Sequence, residues 1–249
     1  MADVTAPADD HAFSSWLAVQ VGTTLLRVRE GGLAGKDLKD AGDAEAQQVV
    51  AALLAEHRPD DAVLSEEAPD DGRRLDAHRV WIIDPLDGTR EYAERPRHDW
   101  AVHVALWQPG DLVAGAVAQP ALGQTLSTAH PPVVPGRDEK APLRLAVSRS
   151  RASETVLALA EAIGAELVPM GSAGVKVAAV IRGEADAYLH TGGQYEWDSA
   201  APVAVARAAG LHTSRADGSP LLYNQRDVYL PDLLVCRPEL AAQILTVVG

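Results

Sequence analysis

The apolar run Trp81, Ile82 and Ile83 stops at the hexapeptide Asp84-Pro85-Leu86-Asp87-Gly88-Thr89. No other stretch so restricts what the chain can fold into. Pro85 prevents a strand from continuing smoothly, and the turn it helps make can aim Asp84, the Leu86 carbonyl and Asp87 at one point. Two carboxylates at the end of a buried strand raise each other's proton affinity and are costly unless something compensates them. A hard divalent cation such as Mg²⁺ is the usual remedy. Gly88 then opens a segment whose free backbone N–H groups could receive a phosphate oxygen.

In isolation, Asp84 would read as a strand-ending cap and Asp87-Gly88 as a plain turn. Three further carboxylates shift that balance. "SEEAPDD" offers Glu66 and Glu67 at the end of the preceding strand; a solvated acidic turn is the simpler account there. "EWDSAAP" places Asp198 at the start of a helix, where it is expected as the N-cap. Asp43, in "KDLKDAGDAE", is expected near the start of the second helix and could equally be only its cap. Each is weak alone; together they place carboxylates at the edges of several regular elements.

The periodicity supplies the frame. Phe13, Leu17, Val21 and Leu25 recur at i+4 and predict a helix over 10–30, stopped by Gly31-Gly32; Ala46, Val49, Val50, Leu53 and Leu54 predict a second over 43–57, ended by Pro59. Strands follow over 61–67, 79–84 and 100–108, the last turning at Pro109-Gly110-Asp111 into 112–120 as an antiparallel hairpin. The segment 131–142, rich in proline and charge, is expected to be a linker or long surface loop. Beyond it strands over 143–148, 166–170 and 186–191 alternate with helices over 153–163, 173–182 and 198–209, and a strand and a helix close the chain. The expectation is a layered α/β fold of two subdomains, 1–140 carrying most of the carboxylates and 141–249 carrying Asp198.

Composition excludes some functions. The formal net charge of −13 argues against a surface that coats a nucleic-acid polymer. A single cysteine, Cys236, allows no intrachain disulfide and reads as core filler in a buried strand. No run approaches the length of a membrane span and the first residues lack a basic or apolar leader, so a cytosolic location is expected. His103, on an alternating strand, reads as packed rather than ligating.

"WIIDPLDGT" and "WDSAAP" resemble the signatures of the inositol monophosphatase and fructose-1,6-bisphosphatase superfamily, the Mg²⁺-dependent, lithium-sensitive phosphatases. "GSAGVKVAAVIRGEADAYLH" and "VSRSRAS" look most like its CysQ-type branch, which hydrolyses 3′-phosphoadenosine 5′-phosphate. The resemblance spans nearly the whole chain and implies an αβαβα sandwich. It implies that Glu66, Asp84, the Leu86 carbonyl, Asp87 and Asp198 hold two or three Mg²⁺ ions, with Asp43 and Thr89 as a dyad that orients and deprotonates the attacking water, beside Glu66. It further implies that Gly88, Ser148, Arg151, Ser172 and Lys176 join the metal ligands in binding a nucleotide bisphosphate, in an enzyme that can be a homodimer.

Ser148 to Arg151 and Gly171 to Gly174 each follow a strand, so both segments are expected at strand carboxyl ends, where open α/β sheets bind ligands. Lys176 is the one cation in an otherwise apolar helix; a snorkelling lysine and a phosphate contact are both open. Arg151 departs from the branch, where histidine is commoner. The "HTGGQYE" segment is read as a loop that shapes the base or ribose pocket. Three alternatives compete: an inositol or sugar phosphatase of the same superfamily, a non-catalytic nucleotide sensor, and an aspartyl-phosphate enzyme, whose D-x-D-G-T spacing the D-P-x-D spacing here does not match.

Overall fold

The computed structural model describes residues 5–150 and 152–249. Helix α1 (Asp10–Glu30) runs over the expected residues: the Asp9 carboxylate accepts from Ala12 N at 2.8 Å at its start, and Gly31 closes its end. Helix α2 (Gly35–His57) begins two turns earlier than the periodicity predicts. Its first turns bury only Leu38 and Gly42, too few apolar positions to register as a stripe. Gly42 is required there, because a Cβ would lie 2.7 Å from the Tyr92 ring and 3.0 Å from Leu86. Asp43 is therefore an interior residue of α2 and not its cap.

The first sheet has the order β1 (Ala62–Ser65), β2 (Val80–Asp87), β3 (Ala101–Gln108), β4 (Asp111–Gln119) and β5 (Gln124–Ser127). β1 and β2 are parallel and the other pairs antiparallel, including the expected β3–β4 hairpin. The β2–β3 register shifts between Asp84 and Asp87, the irregularity that Pro85 imposes, and a short helix α3 (Thr89–Ala93) follows at once.

The second half adds β6 (Arg144–Ser148), α4 (Glu154–Ile163), β7 (Glu166–Met170), α5 (Ala173–Ile181), β8 (Ala187–Tyr195), α6 (Glu196–Ala208), β9 (His212–Ser214), β10 (Tyr229–Cys236) and α7 (Ala241–Val248). Its sheet has the order β7-β6-β8-β10-β9. One expectation fails here: "HTGGQYE" is not a loop, since His190 to Tyr195 are the end of β8, which pairs with β10 as far as Tyr195↔Tyr229, and Glu196 already opens α6. Gly192 and Gly193, at φ +131° and +85°, obscured the strand pattern.

Alternating side chains make five layers. Trp81 and Ile83 face α1 and α2, while Ile82 faces the middle, where α5 and α6 lie between the sheets. In the second sheet Leu233 and Val235 face that same middle layer, and Leu234 and Cys236 face α4 and α7. A helix apolar on every side belongs in such a layer. Ser199 through Ala206 of α6 are all buried, and α6 lies so near β4 that a Cβ on Gly115 would be 2.7 Å from Ala204. The apolar middle layer draws side chains from both halves of the sequence, and the segment 131–142 between them carries neither helix nor strand.

Candidate active site

The carboxyl ends of β1 and β2 and the amino end of α6 meet at one point. Asp84 is only 1% exposed, and its Oδ1 accepts from Leu86 N at 2.9 Å, which folds the Pro85 turn back on itself. The Leu86 carbonyl accepts from Thr89 Oγ1 at 3.1 Å. Gly88 sits at φ +88°, and a Cβ there would press within 3.3 Å of the Asp99 carbonyl and Ser172, so only glycine fits easily.

Burial pushes Asp84 well above the usual carboxylate range, and the charges of Glu66, Asp87 and Asp198 push it further. Glu66 is open to solvent as a residue, yet the protein packed around its carboxyl and the charges of Asp198, Asp87 and Glu67 raise it to about 7; a hydrogen bond to Asp84 opposes the rise. Asp198 is raised to about 6 by burial and then by Asp87. It is the third residue of α6 and not its N-cap: its Oδ2 accepts from Tyr195 N at 2.7 Å, from inside the helix.

Asp87 behaves differently. Burial raises it, but His103, the Ser172 hydroxyl and Lys176 more than offset that and hold it below the usual value. Its Oδ2 receives Ser172 Oγ at 2.5 Å and Gly174 N at 2.9 Å, and lies 3.2 Å from His103 Nε2. The His103 contact is an electrostatic approach and not an aimed hydrogen bond. His103 is fully buried, as expected, but the sequence reading missed its contact with Asp87. Gly174 makes room for it, since a Cβ would fall 2.0 Å from Nε2, and His103 Nδ1 reaches the Trp197 carbonyl at 3.2 Å.

Asp43 hydrogen-bonds Thr89 from the middle of α2, and burial, then Glu67 and Asp40, raises it to about 6. Thr89 has one hydroxyl proton, shared between Asp43 and the Leu86 carbonyl.

These groups fit a metal ion. Ligand atoms of Asp84, Asp87 and His103 lie within 4.8 Å of one another. A cation would relieve the mutual repulsion among these buried carboxylates, and oxygen donors of this kind suit a hard divalent ion.

Beside them opens a cavity of about 640 Å³, lined by Glu66, Asp87, Gly88, Thr89 and Asp198. Ser148, Ser172 and Lys176 line it as well; Arg151 lies outside the described residues. Lys176 does not snorkel: it is buried, with Nζ donating to the Ser172 carbonyl at 2.6 Å, and burial lowers its pKa. Gln194 and Tyr195, of the segment expected to shape the base or ribose pocket, line the cavity too, while two charged lining residues, Arg90 and Arg149, escaped sequence reading. Arg149 is pinned by Glu91 at 2.7 Å and Glu94 at 3.1 Å, and Arg90 reaches Ser150 at 3.3 Å. Only long-range placement brings them here; their local sequence is that of ordinary surface charge.

Residues 12–248 match the model of the inositol monophosphatase family, and the chain belongs to that family. It is 47% identical to a Mycobacterium leprae protein named 3′-phosphoadenosine 5′-phosphate phosphatase, over 99% of this chain and 96% of that protein. A Mycobacterium bovis protein of the same name is 52% identical over 84% of this chain and 80% of its own. The crystal structure of CysQ from Bacteroides thetaiotaomicron superposes with a TM-score of 0.76 at 27% identity, covering 89% of this chain and 94% of that one. Among the described residues no helix is long and apolar enough to cross a membrane.

Proposed function

We propose that this chain is a Mg²⁺-dependent phosphatase that removes the 3′-phosphate of 3′-phosphoadenosine 5′-phosphate, giving AMP and phosphate. The observation that carries the reading is the union of a carboxylate cluster with a cavity of about 640 Å³, larger than a six-membered ring monophosphate requires. The names of relatives 47% and 52% identical to this chain support the same substrate.

In this reading Glu66, Asp84, the Leu86 carbonyl, Asp87 and Asp198 hold two or three Mg²⁺ ions. When bound, the ions supply positive charge to the phosphate oxygens and acidify a water. The chain's own residues do the rest. Asp43, held near 6, takes the Thr89 proton, so that the Thr89 oxygen can accept one from the attacking water. Glu66, raised to about 7 without metal, would give up that proton on holding an ion and stand ionised beside the attacking water. The backbone at Gly88 and Thr89 faces the phosphate oxygens, and Ser148, Arg151, Ser172 and Lys176 bind the rest of the nucleotide, with Lys176 adding positive charge. Ser172 and Gly174 fix the Asp87 carboxylate, so its free oxygen is pre-aimed. A cytosolic homodimer completes the reading, in keeping with the family resemblance.

The test is phosphate release from 3′-phosphoadenosine 5′-phosphate, inositol 1-phosphate and fructose 1,6-bisphosphate, with Mg²⁺, EDTA or added Li⁺. Metal-dependent, lithium-sensitive release with the highest kcat/KM on the nucleotide is expected. A higher kcat/KM on either of the others overturns the substrate, and no turnover of any of the three overturns the activity.

A further inference from the structure

Among the described residues, Arg90, Arg149 and Lys176 are the lysines and arginines that line the cavity, and their surroundings differ. Lys176 is buried, donates to the Ser172 carbonyl, and has Asp87, Glu91, Asp198 and Asp99 as the charges around it. Arg149 directs its Nη2 at two carboxylates, Glu91 at 2.7 Å and Glu94 at 3.1 Å. Arg90 is exposed and makes no ion pair with any described residue; its one side-chain contact is Nη1 to Ser150 Oγ at 3.3 Å.

Local sequence alone would pair Arg90 differently. Glu94 lies one turn on, its N–H bonded to the Arg90 carbonyl at 3.2 Å, and an acid at i+4 is the ordinary partner of an arginine on a helix. Arg149 has taken that acid, so the Arg90 guanidinium faces the cavity uncompensated. Ser150 lines the cavity beside it, and because its oxygen accepts from Arg90, its own hydroxyl proton is left for a ligand. A guanidinium without a carboxylate, next to a donor hydroxyl, is matched to a phosphate, whose oxygens accept from both.

The carboxylate cluster and Thr89 account for the phosphate that reacts. A monophosphate engaged there has no second anion for Arg90. A bisphosphate has one, carried on the far side of its ribose.

We propose that Arg90, seconded by Ser150, holds the non-reacting phosphate of the substrate, which is the 5′-phosphate in the nucleotide reading above, on which the inference rests. Arg149 acts through it as a positioning residue, keeping Glu91 and Glu94 away from the Arg90 guanidinium. Preference for a bisphosphate follows, because only a ligand with the second phosphate gives Arg90 charged acceptors in place of water.

The ligands 3′-phosphoadenosine 5′-phosphate and adenosine 3′-phosphate differ only by the 5′-phosphate. Calorimetric titration of the full chain in EDTA, where no metal supports turnover, should show the bisphosphate binding about tenfold tighter or more, and kcat/KM in Mg²⁺ should show the same preference. Arg90→Gln should shrink both ratios by about fivefold or more, Ser150→Ala by about twofold, and Arg90→Lys should restore part of the loss as a point charge. A merely structural role for Arg90 would weaken both ligands alike and leave the ratios standing. A bisphosphate that binds the parent protein no more tightly than adenosine 3′-phosphate, or a binding ratio that Arg90→Gln leaves unchanged, overturns the assignment. The parent ratio needs no variant to fold. Absence of phosphate release in Mg²⁺ with the binding ratio intact would count against the proposed activity and not against this subsite.

Discussion

Asp84 and Asp186 are both 1% exposed, and their surroundings are opposite. Asp186 lies between β8 and β6 with Arg237 Nε at 3.0 Å, Arg144 Nε at 3.7 Å and Arg137 Nε at 3.8 Å, and it accepts from Arg144 N at 2.9 Å. Asp84 has Glu66, Asp87 and Asp198 as its charged neighbours. A buried carboxylate among arginines is complete within the chain; one among carboxylates awaits a cation from outside. The first joins strands together, and the second is a site.

The largest expected effect separates the two at once. Asp84→Asn should lower kcat/KM by on the order of a thousandfold while leaving the metal-free protein as stable as the parent or more so, because repulsion is relieved. Phosphate release together with thermal melting checks both halves; parent-like turnover would remove Asp84 from the site.

Asp186→Asn should do the reverse. It leaves three arginines facing a neutral amide and should cost about 3–5 kcal/mol of stability, with kcat per folded molecule unchanged. Urea unfolding and active-site-normalised kinetics decide it. If Asp186→Asn melts like the parent, the contrast between the two aspartates is lost.

Gly174→Ala probes the link between Asp87 and the middle layer. Its methyl would displace His103, 2.0 Å away, and loosen the Asp87 carboxylate, so kcat/KM should drop by about 10–100-fold. Metal affinity measured by titration should weaken in step.

The smallest effect concerns pH. Asp43 and Asp198 near 6 and Glu66 near 7 all stand above their usual values, so between about pH 4 and 7 the folded, metal-free protein binds more protons than the unfolded chain. Its stability is therefore greatest below the unfolded values and falls as pH rises through the folded ones. Melting in EDTA should occur at lower temperature at pH 8 than at pH 5, and added Mg²⁺ should raise the melting temperature more at pH 8. A melting temperature in EDTA that rises toward pH 8 would contradict the cluster's electrostatics.

Much of the site could be read locally. The Pro85 turn, Gly88 and Thr89 are contiguous, so backbone chemistry alone announces them. Helix α4 ends where expected, at Gly164 with φ +64°, and starts one residue later than expected, because Ser153 is its cap and accepts from Val156 N. The failures were of another kind. Asp43 could be read as a cap because the start of α2 has too few apolar residues to show a stripe, and the packing of α2 on α3 through Gly42 is a long-range fact. β8 was cut short because Gly192 and Gly193 look like a turn, although pairing with β10 holds them in a strand.

The sequence by itself determined the order of the elements, the five-layer arrangement expected from the family motifs, and which residues carry carboxylates at element ends. The element order and the carboxylate positions follow from local sterics, periodicity and capping, each decided within a few residues, while the layering is what the family resemblance implies. The tertiary structure alone decided that Asp87 is held by Ser172, Gly174 and His103, that Lys176 is buried beneath the cavity, and that Arg90 and Arg149 border it. Asp87 meets His103, 16 positions on, across neighbouring strands, and Ser172 and Gly174, 85 and 87 positions away, under the apolar middle layer, and no short-range pattern encodes those partners.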